Sequence, residues 1–379
     1  MKQLCVALFL ILTGVFIVSN IYTLIPIYQD IAVGLDITFE QAVYGSSVFS
    51  LCYAFGLLSF GPISEKLGRK QVLVIGLLFS SISTAITGLA FNDSSFYLFR
   101  GIQGFALASF APVAFAYTFD IFSERSRTLV LALINSGFLV AGIVGQLISS
   151  LFTLHLGWQF VFFGFAIIYG FLFIIGLKAL PKSEHTTNSM NRRVVSEMLL
   201  VLKDKNLLQC YCITFTLLLS FVAYYDGLAN YFTQVIIMNP DTLFLIRAFG
   251  LLGAILSIFT GRIIKTFGEK KTLAFGMCLA IASLLLLLFY RNPAFVCLSS
   301  VCFVAAISLL LPSVISVIGT IADSRRGIAI SLYSFILLTG ASIGPIIASR
   351  FTFSGLLTLL VGLFLINLFI CRRVKIVRS

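Results

Sequence analysis

Three ionisable residues stand well inside long apolar runs of this 379-residue chain: Arg100, Asp226 and Arg247. A charged side chain at the centre of a hydrocarbon layer costs about 2.5–3.5 kcal/mol on insertion scales, and less toward the interface. At ~1.5 Å of rise per residue, each lies roughly 10 Å to the outer side of the midpoint of its run. A common depth argues for a polar cavity or a buried pair rather than exposure to acyl chains. Asp226 is the only carboxylate within any of these runs, which makes it the candidate proton carrier. Arg247, on the following run, pairs with it in one of two ways. Either it holds Asp226 ionised until substrate or a conformational change separates them, or it is the permanent half of a salt bridge that fixes one hairpin. A third reading leaves Asp226 as an acid snorkelling to the interface. Arg100 and Gln103 are three residues apart and share one helical face. A guanidinium on a cavity wall favours solutes that carry carboxylates.

The elements that must position these residues follow from composition. The chain is 59% hydrophobic and 11% charged, with a mean hydropathy of +1.08. A soluble protein of this length needs a polar skin that such a composition does not supply. About 20 apolar residues cross a bilayer. Hydropathy predicts twelve spans, at 4–28, 42–61, 71–91, 95–118, 128–152, 158–179, 207–232, 242–264, 272–290, 294–320, 328–349 and 354–371. Backbone in hydrocarbon must satisfy its own hydrogen bonds, so the spans are helices. Continuous runs of Leu, Ile, Phe and Val lack the alternation that a barrel requires.

The formal charge of +12 reports orientation, not nucleic-acid binding. Arg100 and Arg247 lie within spans and Arg291 and Arg350 in external connections. The other Lys and Arg fall on one side, while Asp30, Asp36, Glu40, Asp93 and Asp241 collect on the other. The positive-inside rule then places both termini in the cytoplasm. Short external connections suit a bacterial inner membrane. The first span carries Tyr22 and Pro26, lacks a small-residue cleavage site and is expected to be retained. Trp158, at the outer start of the sixth span, is expected to be an interfacial anchor. The eight cysteines form no CxxC and the two histidines stand alone, so no metal site is expected and the thiols read as buried and inert.

The chain also repeats itself. The island Gly61-Pro-Ile-Ser-Glu65-Lys66-Leu-Gly68-Arg69-Lys70 has a degenerate copy in Gly261 to Lys271, 200 residues on, and Asp120 and Gly137 match Asp323 and Gly340 at an offset of 203. Residues 181–205 are the longest polar stretch. The expected organisation is a six-helix bundle over 1–180, a cytoplasmic linker over 181–205, and a second bundle with a short basic tail over 206–379. Two such bundles suit a carrier that rocks about a central site.

These motifs resemble the major facilitator superfamily over essentially the whole chain. Gly61, Glu65, Gly68, Arg69 and Lys70 match its loop signature between the second and third helices, with Glu65 where the common pattern has Asp. Arg100-Gly-Ile-Gln103-Gly104 looks like the fourth-helix motif of the twelve-helix drug:proton antiporters, and Asp120 with Arg125 and Arg127 resembles the junction after that helix. Gly137, Gly142 and Gly145 keep the small-residue spacing of the fifth-helix antiporter motif, but its Gly-Pro appears instead in the eleventh span, as Gly344-Pro345.

The resemblance implies a cytoplasmic gate built from Gly61, Glu65, Gly68, Arg69, Lys70, Asp120 and Arg127, whose charge-assisted bonds stabilise an outward-facing state. Solvated positive-inside charge without gating is the alternative. It also implies that spans one, four, seven and ten are central. They offer Asn20, Tyr22, Arg100, Gln103, Tyr224, Tyr225, Asp226, Asn230, Ser299, Ser300 and Ser308 as an apolar, aromatic pocket with a few polar anchors. The expected function is export of a small amphiphilic solute, drug or metabolite, by proton antiport with alternating access. Export of a zwitterionic metallophore or siderophore is an alternative, and proton-coupled uptake of a sugar or organic acid another. No nucleophile–base pair, metal cluster or Walker motif stands in a plausible context, so neither an enzyme nor an ATP-driven pump is expected. The expected partners are the solute, protons and the bilayer. A monomer is expected, with no cofactor and no nucleic acid.

Overall fold

The computed structural model describes residues 2–182, 200–232, 246, 248–250, 252–322 and 326–374. Arg247, Asp323 and most of the expected linker lie outside the described residues, as does the side chain of Arg127. The chain divides into two compact units, Met1–Ser189 and Met190–Ser379. The first holds α1 (Lys2–Ser19), α2 (Tyr28–Leu35), α3 (Phe39–Leu67), α4 (Arg69–Thr87), α5 (Asp93–Leu107), α6 (Ala111–Ile121), α7 (Glu124–Leu156) and α8 (Trp158–Ala179). The second holds α9 (Lys205–Asn230), α10 (Leu256–Phe267), α11 (Glu269–Phe289), α12 (Pro293–Ala322), α13 (Arg326–Arg350) and α14 (Phe353–Arg373). No strand occurs among the described residues.

Nine described helices are long and apolar enough to cross a membrane, or ten if the bent pair Ala248–Ala254 and Phe259–Phe267 forms one span. The first and fifth predicted spans partly overlap the shorter apolar stretches Gln3–Ser19 and Val140–Leu156. This is an all-α, multi-pass membrane protein.

Local chemistry sets the helix ends. Thr38 and Gln41 form a reciprocal capping box at the start of α3 (2.8 and 3.2 Å), and the Asn92 side chain caps α5 through Ser95 N at 2.8 Å. Gly68 and Gly268 turn the chain between α3 and α4 and between α10 and α11 at φ of 95° and 84°. Side chains rarely adopt that conformation, so the two glycines of the repeated island do the same backbone work.

Four expectations change. The first span is not one helix: α1 ends at Ser19, and residues 20–27 run in tight turns with i to i−3 bonds such as Tyr22 N to Ser19 O at 2.9 Å. Pro26 has no N–H to continue an α-helical ladder. Carbonyls that a helix would have used are thereby released, Asn20 O among them. The fourth span also breaks, between α5 and α6, just ahead of Pro112. Trp158, expected at the interface, is instead buried, with Phe96 and Phe162 edge-on at 6.4 and 6.1 Å. The cysteines are all free, but Cys5, Cys212 and Cys278 are exposed, which on apolar helices means facing lipid.

Candidate functional site

In the first unit the polar side chains converge on Arg100. It sits in the middle of α5 and is fully buried. Its Nη1 donates to Gln103 Oε1 at 2.6 Å, one helical turn on. Its Nη2 reaches the released carbonyl of Asn20 at 3.4 Å, and Nε reaches Gly45 O of α3 at 3.4 Å. Gln103 Nε2 in turn donates to Asn20 Oδ1 and to Thr84 Oγ1 of α4, both at 3.0 Å. Asn20 Nδ2 donates to the Tyr169 hydroxyl of α8, which donates to Phe16 O at 2.8 Å. The Phe49 ring lies 4.1 Å from the guanidinium carbon, within cation–π range. The network thus joins α1, α3, α4, α5, α8 and the turn segment around one cation.

Among the described residues Arg100 has no carboxylate partner. A guanidinium carries five N–H groups and three are engaged, so two remain on Nη1 and Nη2 for an incoming acceptor. Arg100, Gln103 and Asn20 are brought together as the sequence suggested, and Tyr22 is buried nearby in the turn segment. Tyr169 and Thr84 were missed. A single hydroxyl in an apolar span gives no directional signal in sequence.

The second unit holds Asp226, 4% exposed near the end of α9. The neighbouring Tyr224 and Tyr225 hydroxyls pair with Ser299 Oγ at 3.1 Å and Ser300 Oγ at 2.9 Å on α12. Ser299 Oγ also donates to Ser283 O of α11 at 2.8 Å. These four side chains fasten α9 to α12. Ser308, further along α12, is buried with no hydrogen-bond partner for its hydroxyl among the described residues, while its carbonyl accepts from Thr260 Oγ1 at 3.3 Å. Asn230 closes α9, half-buried. Asn367, not anticipated, is buried on α14 and donates to Thr216 Oγ1. No cluster of three or more metal-ligating side chains occurs among the described residues.

The charged island is engaged within its own unit. Arg69 forms an ion pair with Asp120 and donates to Ala116 O at 2.8 Å. Lys70 Nζ donates to Leu177 O at 3.1 Å. Glu65 is exposed, with no hydrogen bond or ion pair among the described residues. The second unit repeats the arrangement with different charge. Glu269 accepts from Ser316 Oγ at 2.5 Å and Thr320 Oγ1 at 3.2 Å, and Lys270 Nζ donates to Arg372 O at 2.8 Å and Val374 O at 2.9 Å. Residues 269, 316 and 320 each lie 200 positions after 69, 116 and 120. The contact partner equivalent to Asp120 is therefore Thr320.

A bundle of apolar helices with a twice-repeated charged loop and buried polar groups in its spans defines a membrane transporter. The Major Facilitator Superfamily model matches residues 4–239 and 241–376, and the chain belongs to that family. Its members are transporters, which carry small molecules across membranes. An uncharacterised transporter of this type from Bacillus subtilis, YybF, is 27% identical over 274 residues, 70% of this chain and 66% of its own, just under two thirds of its length. The quinolone resistance protein NorA of Staphylococcus aureus is 26% identical over 350 residues, 90% of this chain and 87% of its own. An uncharacterised transporter of Buchnera aphidicola is 24% identical over 349 residues, 89% and 82%.

Proposed function

We propose that this chain exports a small amphiphilic solute, drug or metabolite, in exchange for protons, by alternating access. One observation carries the reading: a fully buried guanidinium in α5 with two N–H groups unengaged and no carboxylate beside it among the described residues. Holding an uncompensated cation within a spanning bundle is costly unless it has a task. Resemblance over nine tenths of the chain to a quinolone resistance protein supports efflux. Asp226 is the proton carrier in this account, with Arg247 its switchable partner. The solute-contacting residues in this reading are Asn20, Tyr22, Arg100 and Gln103 in the first unit, and Tyr224, Tyr225, Asn230, Ser299, Ser300 and Ser308 in the second. Gly61, Glu65, Gly68, Arg69, Lys70, Asp120 and Arg127 form the cytoplasmic gate in this reading. The protein works as a monomer of two six-helix bundles joined by 181–205, with both termini in the cytoplasm.

The same unpaired guanidinium favours a second reading, a carboxylate-bearing metallophore as the exported solute. Two measurements separate the readings. Inverted vesicles should accumulate solute when an inward-acid gradient is imposed and lose it on adding a protonophore. Accumulation indifferent to the gradient defeats the antiport. Metabolite profiles of culture supernatants from deletion and complemented cells then identify the solute. A missing chelator selects the metallophore, and altered drug sensitivity with unchanged supernatants selects the drug.

A further inference from the structure

One open cavity described in the first unit differs in character from the Arg100 network. It is a groove of about 890 Å³ between α3 and α4, floored by α5, and its walls are almost wholly apolar. Phe55, Leu67, Phe79 and Leu98 on its margins are all exposed, so in a spanning bundle the groove opens to lipid. Its α3 wall runs from Val48 to Leu67. At ~1.5 Å per residue that is roughly 28 Å, close to the ~30 Å of a hydrocarbon core. A solute with internal polar groups would leave them unsatisfied against such walls. An acyl chain has none to satisfy.

The end of the groove beside the charged island is different. Gln71 lines it and is exposed, with no hydrogen bond among the described residues. Of the three island cations, Arg69 is engaged by Asp120 and Lys70 by Leu177 O. Lys66 is exposed and makes no hydrogen bond or ion pair among the described residues. It lies three residues, about one helical turn, from Ile63 on the groove wall, and so on the same side of α3. Glu65 is the acid next to it in sequence, and adjacent residues on a helix point in different directions.

We propose that this groove is a binding site for an anionic phospholipid. One acyl chain lies along α3 over α5, and the Lys66 ammonium with the Gln71 amide holds the phosphate at the leaflet that Lys66 reaches. A zwitterionic headgroup would bring a second ammonium up to Lys66, so a net-anionic headgroup is preferred. A single lysine near an anionic lipid surface gives a preference of roughly fivefold.

The test is native mass spectrometry of the full-length protein released from detergent with phosphatidylglycerol or phosphatidylcholine of identical chains. The wild type should retain phosphatidylglycerol roughly fivefold over phosphatidylcholine. Lys66→Gln with Gln71→Ala should bring the two to parity without abolishing binding. Ile75→Trp, which fills the groove, should lower retention of both. Phe171→Trp, on an exposed position of α8 outside the groove, should change neither. Wild-type parity overturns the proposal on its own, whether or not the variants fold. A preference that survives the double substitution also overturns it, as does equal retention by Ile75→Trp and Phe171→Trp.

Discussion

Arg100 shows why residue type and spacing reveal some functional chemistry and hide the rest. An arginine in an apolar run, with Gln103 on the same face, declares a buried polar site, because lipid cannot hold the charge. Asn20 was legible for the same reason. Tyr169 and Thr84 were not, since single hydroxyls are common in apolar spans and only the fold shows that these two meet Asn20 and Gln103. Tyr224 and Tyr225 were legible as polar groups, but sequence did not show that their hydroxyls pair with Ser299 and Ser300. The three directions in which Arg100 donates give a test. Lysine keeps the charge but not the planar fork. Arg100→Lys is therefore expected to lower solute export at least about tenfold per folded protein, the factor that ~1.4 kcal/mol represents. Vesicle transport normalised to monodisperse protein measures this. Full export by Arg100→Lys would reduce Arg100 to a buried point charge.

Among the described residues, nine or ten of the twelve predicted spans are helices long and apolar enough to cross a membrane, and they were readable because hydrophobic length is a strong signal. Their breaks were not. Pro26 marked the first span as unusual, yet the helix gives way at Asn20, six residues earlier, and the carbonyl released there serves Arg100. Small residues carried more information than their glycine count suggested. A Cβ at Gly344 would stand 2.9 Å from Leu219 O, so α13 packs directly on the α9 backbone. A Cβ at Gly104 would collide with the Phe49 carbonyl. Gly61, also in a helix, has nothing within 4 Å of such a Cβ. Gly104→Ala should thus destabilise the protein by about 1–3 kcal/mol. Gly61→Ala should be neutral or stabilise by roughly 0.5–1 kcal/mol. Thermal unfolding of both variants in one detergent checks the pair, and equal losses would contradict the packing described.

At the scale of the whole chain, the repeat is the main organising fact. The island at Gly61–Lys70 and its copy were visible in sequence, as was the offset of 200. The inversion of charge was not interpretable until Glu269 was seen to take hydroxyls from Ser316 and Thr320 where Arg69 takes Asp120. The Arg69–Asp120 pair keeps about one-fifth of each side chain exposed, so water screens it only in part. A double-mutant cycle on thermal stability should return about 1 kcal/mol of coupling, the upper end for exposed pairs. Asp120→Asn should nevertheless slow transport several-fold if the pair works as a gate. A large stability coupling with unchanged transport would make the pair a fold determinant only.

In the antiport we propose, Asp226 carries the proton exchanged for solute. The direct measurement is the number of protons released into weakly buffered detergent solution when the purified protein binds its solute. The wild type should release protons and Asp226→Asn none at matched occupancy. Undiminished release from Asp226→Asn would rule Asp226 out as the carrier.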